Sequence, residues 1–204
     1  AMRADEELKG LQAALMPIAD RIDLIIDGNH EDRIERAAGL HPSQLLAAAL
    51  GRPHVYRENA TVIRYGFGKR NATNAAHIEM FCHHGYGGGK RSGPKLNRVM
   101  DLARIKADCD IYAMGHVHDD ITRRGAVLAG WPPRRKEQLF LVTGCYLGAE
   151  SYSVKAGFDP APLGAPVVLV QTAYEGPHTN RHRSNIVAQL HVITGPTDGL
   201  PKNW

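Results

Sequence analysis

The chain has 204 residues, with 25 Lys and Arg against 21 Asp and Glu, and its formal charge of +4 leaves 11 His uncounted. Hydrophobic residues make up 43% and charged residues 23%, which excludes a disordered or collagen-like chain and fits one domain with a sizeable core. We expect a cytoplasmic protein, because no apolar run reaches the ~18–20 residues of a membrane span, no secretory signal is visible, and the 3 Cys are widely spaced.

The first part of the chain predicts helices that alternate with short strands. Apolar residues at three- and four-residue spacing predict an amphipathic helix over 5–19, and a short aliphatic run predicts a buried strand over 22–26. Further helices are predicted over 32–38 and 43–50, the latter with Ser43 as its N-cap. Strands are predicted over 61–65 and 77–82.

The later part of the chain predicts mainly consecutive strands. Pro94 lies where a helix could begin, and a Gly- and Pro-rich stretch over 151–166 predicts an irregular loop. Strands are predicted over 110–114, 127–129, 139–143, 167–171 and 187–193. Strand–loop–helix alternation followed by consecutive strands predicts a layered α/β domain with mixed sheets.

Three of the predicted strands end in a tight turn that places Gly beside Asn or His. These turns are Gly28-Asn29-His30, His84-Gly85 and Gly115-His116-Val117-His118. Strand carboxyl ends are where loops converge in layered α/β folds, and Asn oxygen and neutral imidazole suit Zn, Mn, Fe or Ni. An extended His116-x-His118 segment would also point both rings to one face. The turns therefore predict a divalent metal site.

The remaining His residues predict no chemistry of their own. We interpret each as a surface or hydrogen-bonded side chain: His41, His54, His77, His178, His182 and His191. The Gly-rich segment 83–93 also fails the P-loop pattern, because Gly89-Lys90 is followed by Arg91. Its backbone N–H groups, with Lys90 and Arg91, could still bind a phosphate, and a flexible solvent loop explains the segment equally well.

Taken in order, 28–31, 84–85 and 115–118 resemble the last three motifs of calcineurin-like metallophosphoesterases. The resemblance runs from 22 to at least 170, and 83–97 with 143–164 look most like phage and prophage members. It implies a four-layered αββα sandwich with two mixed sheets, as a single partial domain over 1–204 with 177–204 as a candidate extension. It also implies a phosphoesterase that uses two divalent ions, Mn, Fe, Zn or Ni.

The resemblance assigns roles to five residues. Asn29, His84 and His116 would hold one metal ion, and His118 would help to hold the other. His30 would stand beside the leaving-group oxygen and donate a proton or stabilise its charge. A hydroxide between the metals would attack phosphorus, with phosphodiesters or nucleic acid as the expected substrates.

Three basic residues are candidates for binding the substrate phosphate. Arg33 follows His30 closely, although a surface salt bridge is the role that we favour for it. Lys90 and Arg91 lie in the Gly-rich segment.

The first two motifs of the family, Asp-x-His and Gly-Asp-x-x-Asp, are not found before Gly28. Asp27 belongs to the strand of the third motif and cannot replace the missing bridging carboxylate. Truncation of the chain is the explanation that we favour, and a part supplied by another polypeptide or a degenerate family member are the others. Loss of central strands would expose apolar faces, so we expect a homo-oligomer or a strand-exchanged dimer.

Two other functions stay open. One is a truncated or degenerate, non-catalytic binding or scaffolding module of the same fold. The other is nucleic-acid binding, although no aromatic stacking platform accompanies the basic residues in the sequence. Those residues are Lys90, Arg91, Arg123, Arg124, Arg134, Arg135 and Lys136.

Overall fold

A computed structural model describes residues 4–67, 76–146, 164–175 and 185–193. The chain divides into two compact units, Ala1–Thr61 and Val62–Trp204. No helix within the described ranges is long and apolar enough to span a membrane. Most of the predicted loop 151–166 lies outside these ranges, as do His178 and His182.

The first unit begins with helix α1, Ala4–Leu15, which continues directly into a 3-10 helix, Met16–Arg21. The α-helix predicted over 5–19 therefore ends earlier than expected, at Leu15. Pro17 explains the change, because it has no N–H to donate and its ring crowds the preceding turn of an α-helix. The change to a 3-10 helix keeps the segment helical and accommodates the proline.

Two more helices follow in this unit, α2 at Glu31–Ala38 and α3 at Pro42–Ala49. Both confirm predicted helices, and α2 ends at Gly39, whose φ is 65°. The prediction of Ser43 as an N-cap is wrong, since the helix begins at Pro42 and His41 occupies the cap position. Proline suits the first turn because its missing N–H would have no partner there.

Strands β1, Ile25–Ile26, and β2, Tyr56–Arg57, form a short parallel pair in the first unit. The predicted strand over 22–26 is thus shorter, and its residues are half-buried rather than buried. Ile22 is the residue that caps the preceding 3-10 helix, so little chain is left for the strand.

The second unit is built on a mixed sheet with the strand order β3-β4-β5-β7-β6. Its strands are β3 Ala60–Phe67, β4 Ala76–His83, β5 Ile111–Met114, β6 Asp120–Ala129 and β7 Arg134–Thr143. Strands β4, β5 and β7 are parallel, and β6 is antiparallel to β7. A separate antiparallel hairpin joins β8 Val167–Glu175 to β9 Asn185–Ile193. These strands confirm the predicted α/β class with mixed strand directions.

Helix α4, Ser92–Ile105, packs against β5 and β7 and closes the main core. Pro94 lies within its first turn, as the prediction of a helix beginning there requires. The rings of Tyr112 and Phe140 stack at 5.1 Å between centroids. The buried core cluster comprises Phe81, Val99, Leu102, Cys109, Tyr112, Met114, Val117, Phe140 and Val142. This packing holds the carboxyl ends of β4 and β5 in place.

Helix α4 provides a matched test of this core. Leu102 is fully buried, at 0% exposure, whereas Ile105 on the same helix is 64% exposed. We expect Leu102→Ala to lower the free energy of unfolding by about 2–5 kcal/mol, because it leaves a cavity. Ile105→Ala should cost about 0.5 kcal/mol or less. Urea denaturation measures both values, and equal losses would contradict the placement of α4.

Candidate functional site

The carboxyl ends of β4 and β5 lie side by side in the second unit. Their last paired residues are His83 and Met114, and the chain then continues into His84-Gly85 and Gly115-His116. Because the strands are parallel neighbours, both turns emerge at the same edge of the sheet. The structure thus brings two of the three predicted turns together.

These two turns pack backbone against backbone, which requires glycine at 85 and leaves little room for a side chain at 115. Gly85 has a φ of 110°, and a Cβ there would lie 2.6 Å from the carbonyl oxygen of Gly115. A Cβ on Gly115 would lie 3.1 Å from the carbonyl oxygen of His84. The clash and the positive φ exclude a side chain at 85, whereas at 115 the neighbouring carbonyl would have to shift by a few tenths of an ångström. The approach draws the flanking His residues together.

His84 and His116 form a close pair of imidazoles. His84 Nε2 lies 3.2 Å from His116 Nδ1, the ring centroids are 4.9 Å apart, and both side chains are half-buried. Two nitrogens held ~2.0–2.1 Å from one divalent ion lie roughly 3–3.4 Å apart at the usual coordination angles. The pair therefore fits two ligands of one ion. A hydrogen bond between the rings accounts for the same separation.

A larger donor group is not assembled in the part of the chain that the structure describes. Within it, no set of three His, Cys, Asp or Glu side chains gathers where it could hold an ion. His118 is exposed, whereas His84 and His116 are half-buried. The described part of the second unit thus brings the two imidazoles of His84 and His116 together at this edge of its sheet.

The turn that carries His116 has an unusual backbone. His116 has a φ of 68° and His118 a φ of 48°, and the N–H of Val117 donates to the carbonyl of Gly115 at 2.8 Å. The predicted extended His-x-His segment is therefore wrong, because β5 ends at Met114 and a γ-type turn follows. Such turns with positive φ are strained, and strained residues cluster at functional sites.

Asp119 anchors this turn. Its Oδ2 accepts hydrogen bonds from Ser92 Oγ at 2.9 Å and from the buried Lys95 Nζ at 3.1 Å. Its carbonyl accepts from the N–H of Gly144 at 2.8 Å, so helix α4 and the end of β7 both hold the turn. Sequence analysis missed Asp119 and Lys95. The available signal was a carboxylate directly after His118.

His83 is a third residue that sequence analysis left without a role. Its Nδ1 accepts the N–H of Gly85 at 2.8 Å, which fixes the start of the glycine turn. Burial lowers the pKa of His83 and so favours the neutral ring. Because Nδ1 accepts a hydrogen bond, the proton of that neutral ring lies on Nε2. Burial also raises the pKa of the neighbouring Cys82 thiol to about 11.

The first unit has its own polar cluster around Asp27, directly after β1. Asp27 is buried, and its Oδ2 accepts the hydroxyl proton of Tyr56 and lies 3.4 Å from His41 Nδ1. Burial, and then the bond to Asp27, raises the pKa of Tyr56 well above its usual range. Oδ2 of Asp27 is thus engaged within the first unit, whereas its buried Oδ1 has no hydrogen-bond partner among the described residues.

Asn29 and His30 lie in the turn between β1 and α2. The N–H of Gly28 donates to Glu31 Oε2 at 2.9 Å, and the N–H of Asp32 donates to the carbonyl of Gly28 at 3.1 Å. Asn29 is half-buried and His30 is exposed. These bonds define the local shape of the turn within the first unit.

The predicted phosphate-binding residues are exposed in both units. Arg33 lies on α2 of the first unit, and Lys90 and Arg91 directly precede α4 of the second.

The interpretation of single His residues as hydrogen-bonded or exposed side chains is confirmed for two of them. His41 contacts Asp27, and Nε2 of His77 lies 2.9 Å from an Arg64 nitrogen.

The chain was compared with protein-family models, with curated proteins and with solved structures. None of them matches it. What the protein does must therefore be inferred from its residues and their geometry.

Glycine at 85 provides the sharpest test of this site. We expect Gly85→Ala to lower the free energy of unfolding by roughly 1–3 kcal/mol or more, because the new Cβ meets the Gly115 carbonyl at a strained φ. Gly88→Ala is the control, since no atom lies within 4 Å of a Cβ there. Thermal and urea unfolding measure both. A Gly85→Ala protein as stable as the control would contradict the close approach of the two turns.

Cysteine labelling tests the burial of the strand that leads into the site. With its pKa raised to about 11, Cys82 is almost entirely protonated at pH 8, and its thiol is buried. We expect a thiol-specific reagent at pH 8 to modify the half-buried Cys145 first, and Cys82 only as pH rises towards that pKa or the protein unfolds. Peptide mapping identifies the modified residue, and rapid modification of Cys82 at pH 8 would contradict this.

Proposed function

We propose that this protein is a metal-dependent phosphoesterase that acts on phosphodiesters or nucleic acid. The observation that carries the proposal is the His84–His116 pair, with two imidazole nitrogens 3.2 Å apart at the carboxyl ends of neighbouring parallel strands. The strained turn at His116 adds support, since residues with such backbone strain cluster at functional sites. The motif resemblance extends the proposal to a four-layered αββα sandwich.

The proposed metal ligands begin with the two paired imidazoles. His84 and His116 hold one divalent ion. The motif resemblance adds Asn29 as a ligand of that ion and assigns His118 to a second ion. When bound, such ions lower the pKa of water and neutralise negative charge at a phosphoryl centre. The positions of His84 and His116 are preset by the glycine contact, so little ordering is needed when an ion binds.

The remaining proposed roles are contacts with substrate. The motif resemblance makes His30 the proton donor to the leaving-group oxygen, and its side chain is exposed. Lys90 and Arg91 are exposed beside the amino end of α4, where positive charge attracts phosphate. Arg33 is proposed as a further phosphate contact on α2.

Metal affinity separates the ligands from the other histidines. Titration calorimetry with Mn²⁺ should show His116→Ala and His84→Ala weakened by at least about 100-fold, more than loss of an outer-shell partner commonly causes. His54→Ala is the matched control, because it removes an exposed imidazole with no proposed role. Wild-type affinity in His116→Ala would contradict the proposed ligand set.

Hydrolysis of bis(p-nitrophenyl) phosphate separates catalysis from binding. With Mn²⁺ present we expect turnover in the wild type, none in His116→Ala, and in His30→Ala a loss of about 10²–10⁴-fold with metal affinity kept. Metal binding without turnover would contradict the phosphoesterase proposal and favour a binding module. Loss of metal from His30→Ala would contradict its role as a proton donor.

A further inference from the structure

The β6–β7 hairpin carries an aromatic side chain that the protein leaves in solvent. Trp131 lies in the loop 130–133 at the tip of the hairpin and is 92% exposed. Leu128, just before the loop, is also exposed. Tryptophan is mostly buried on average in folded proteins, and where it stays at the surface it often marks a contact site.

The two strands that lead to this tip are strongly basic. No acidic residue occurs between Arg123 and Lys136. Beyond that stretch, Glu137 lies 3.4 Å from Arg135, and Lys136 Nζ lies 3.1 Å from Asp110 Oδ1. The cations of the hairpin are Arg123, Arg124, Arg134, Arg135 and Lys136. Two carboxylates of the hairpin, Asp120 and Glu137, offset part of this charge, and a net positive charge remains beside the exposed indole.

The strand register places two of these cations on one exposed face. Leu128 is opposite Arg135, and Arg124 is opposite Leu139, so Arg124, Leu128 and Arg135 share a face. Arg124 and Arg135 are both exposed. At ~3.3 Å per residue, Arg124 is about 13 Å along β6 from Leu128. Glu137, opposite Ala126, lies on the same face and is paired with Arg135. This face thus carries a track of two arginines and one carboxylate that ends near Trp131.

We propose that this hairpin binds single-stranded nucleic acid, with a base stacked on the indole of Trp131 and phosphates held by Arg124 and Arg135. Unpaired bases stack on exposed aromatic rings, and the phosphates between them follow a basic track. The sequence shows the basic residues, and the structure places an aromatic platform beside them. The proposal does not depend on the metal site.

A lipid surface is the other partner that an indole with neighbouring arginines could suit. At a membrane surface an apolar side chain inserts by only ~5–10 Å, so arginines that contact headgroups need to lie close to the tip. Here Arg124 lies more than about 13 Å back along the strand from the tip, a distance that suits phosphates two or more nucleotides apart on an extended strand better. The length of the track therefore favours nucleic acid.

Fluorescence anisotropy with a labelled 20-nucleotide oligothymidine in EDTA tests the proposal without involving metal or hydrolysis. We expect Trp131→Ala to weaken binding about 10-fold, as loss of one base–aromatic stack does, and Trp131→Phe to keep most of the affinity. Tyr146→Ala is the control, since Tyr146 is 81% exposed outside the hairpin. Because the rings of Trp131 and Tyr146 are both exposed, we expect Trp131→Ala and Tyr146→Ala to have the melting temperature of the wild type.

Salt dependence tests the phosphate contacts. The double variant Arg124→Gln/Arg135→Gln should reduce the slope of log affinity against log salt by about 1.4, at ~0.7 for each phosphate of a single strand. Arg104→Gln, which removes an exposed charge from α4, should leave that slope unchanged.

Several outcomes would overturn the proposal. These are no binding of oligothymidine, binding that survives both Trp131→Ala and the double variant, and binding that Tyr146→Ala or Arg104→Gln weakens as much as the hairpin variants. Trp131-dependent binding to phosphatidylserine vesicles, with none to oligothymidine, would assign the hairpin to a lipid surface instead. Because EDTA is present throughout, failure of the metal proposal leaves these results unaffected.

Discussion

The close approach of the turns after β4 and β5 is the contact on which the rest of the candidate site depends. The two strands pair up to His83 and Met114, and their buried residues fix both ends at the same height in the sheet. Without glycine at 85 the turns could not approach this closely, and a side chain at 115 would also crowd the contact. Because they do meet, two imidazoles stand within 3.2 Å of each other before any ligand is considered. A site formed in this way depends on backbone geometry more than on side-chain flexibility.

The places where β4 and β5 end could be predicted from the local sequence. That the turns after them lie next to each other could not. Apolar runs that stop at Gly and His indicated where β4 and β5 end. That these strands are neighbours depends on the order of the whole sheet, which no local pattern encodes. The extended His-x-His prediction failed for a related reason. The positive φ of His116 is held by tertiary contacts, with Gly85 on one side and the Asp119 anchor on the other.

The other differences between the predicted and the observed elements have two causes, the local chemistry of proline and the pairing of strands. Pro17 and Pro42 altered two helix boundaries as the chemistry of proline requires. Strands β6 and β7 are longer than their apolar segments predicted, because each supplies the other with backbone partners far beyond the core. The exposure of Trp131 was also beyond sequence analysis, since a single Trp is more often a core residue. The basic hairpin and the paired imidazoles belong to the same unit, and β6 begins directly after the Asp119 anchor.

X-ray diffraction from Mn²⁺-soaked crystals, recorded with the anomalous signal of the metal, tests most directly whether the paired imidazoles form a metal centre. The expected result is an anomalous peak within ~2.0–2.3 Å of both His84 Nε2 and His116 Nδ1. Crystals in which the metal occupies other residues, or in which the two rings remain hydrogen-bonded to each other with no peak between them, would contradict the account.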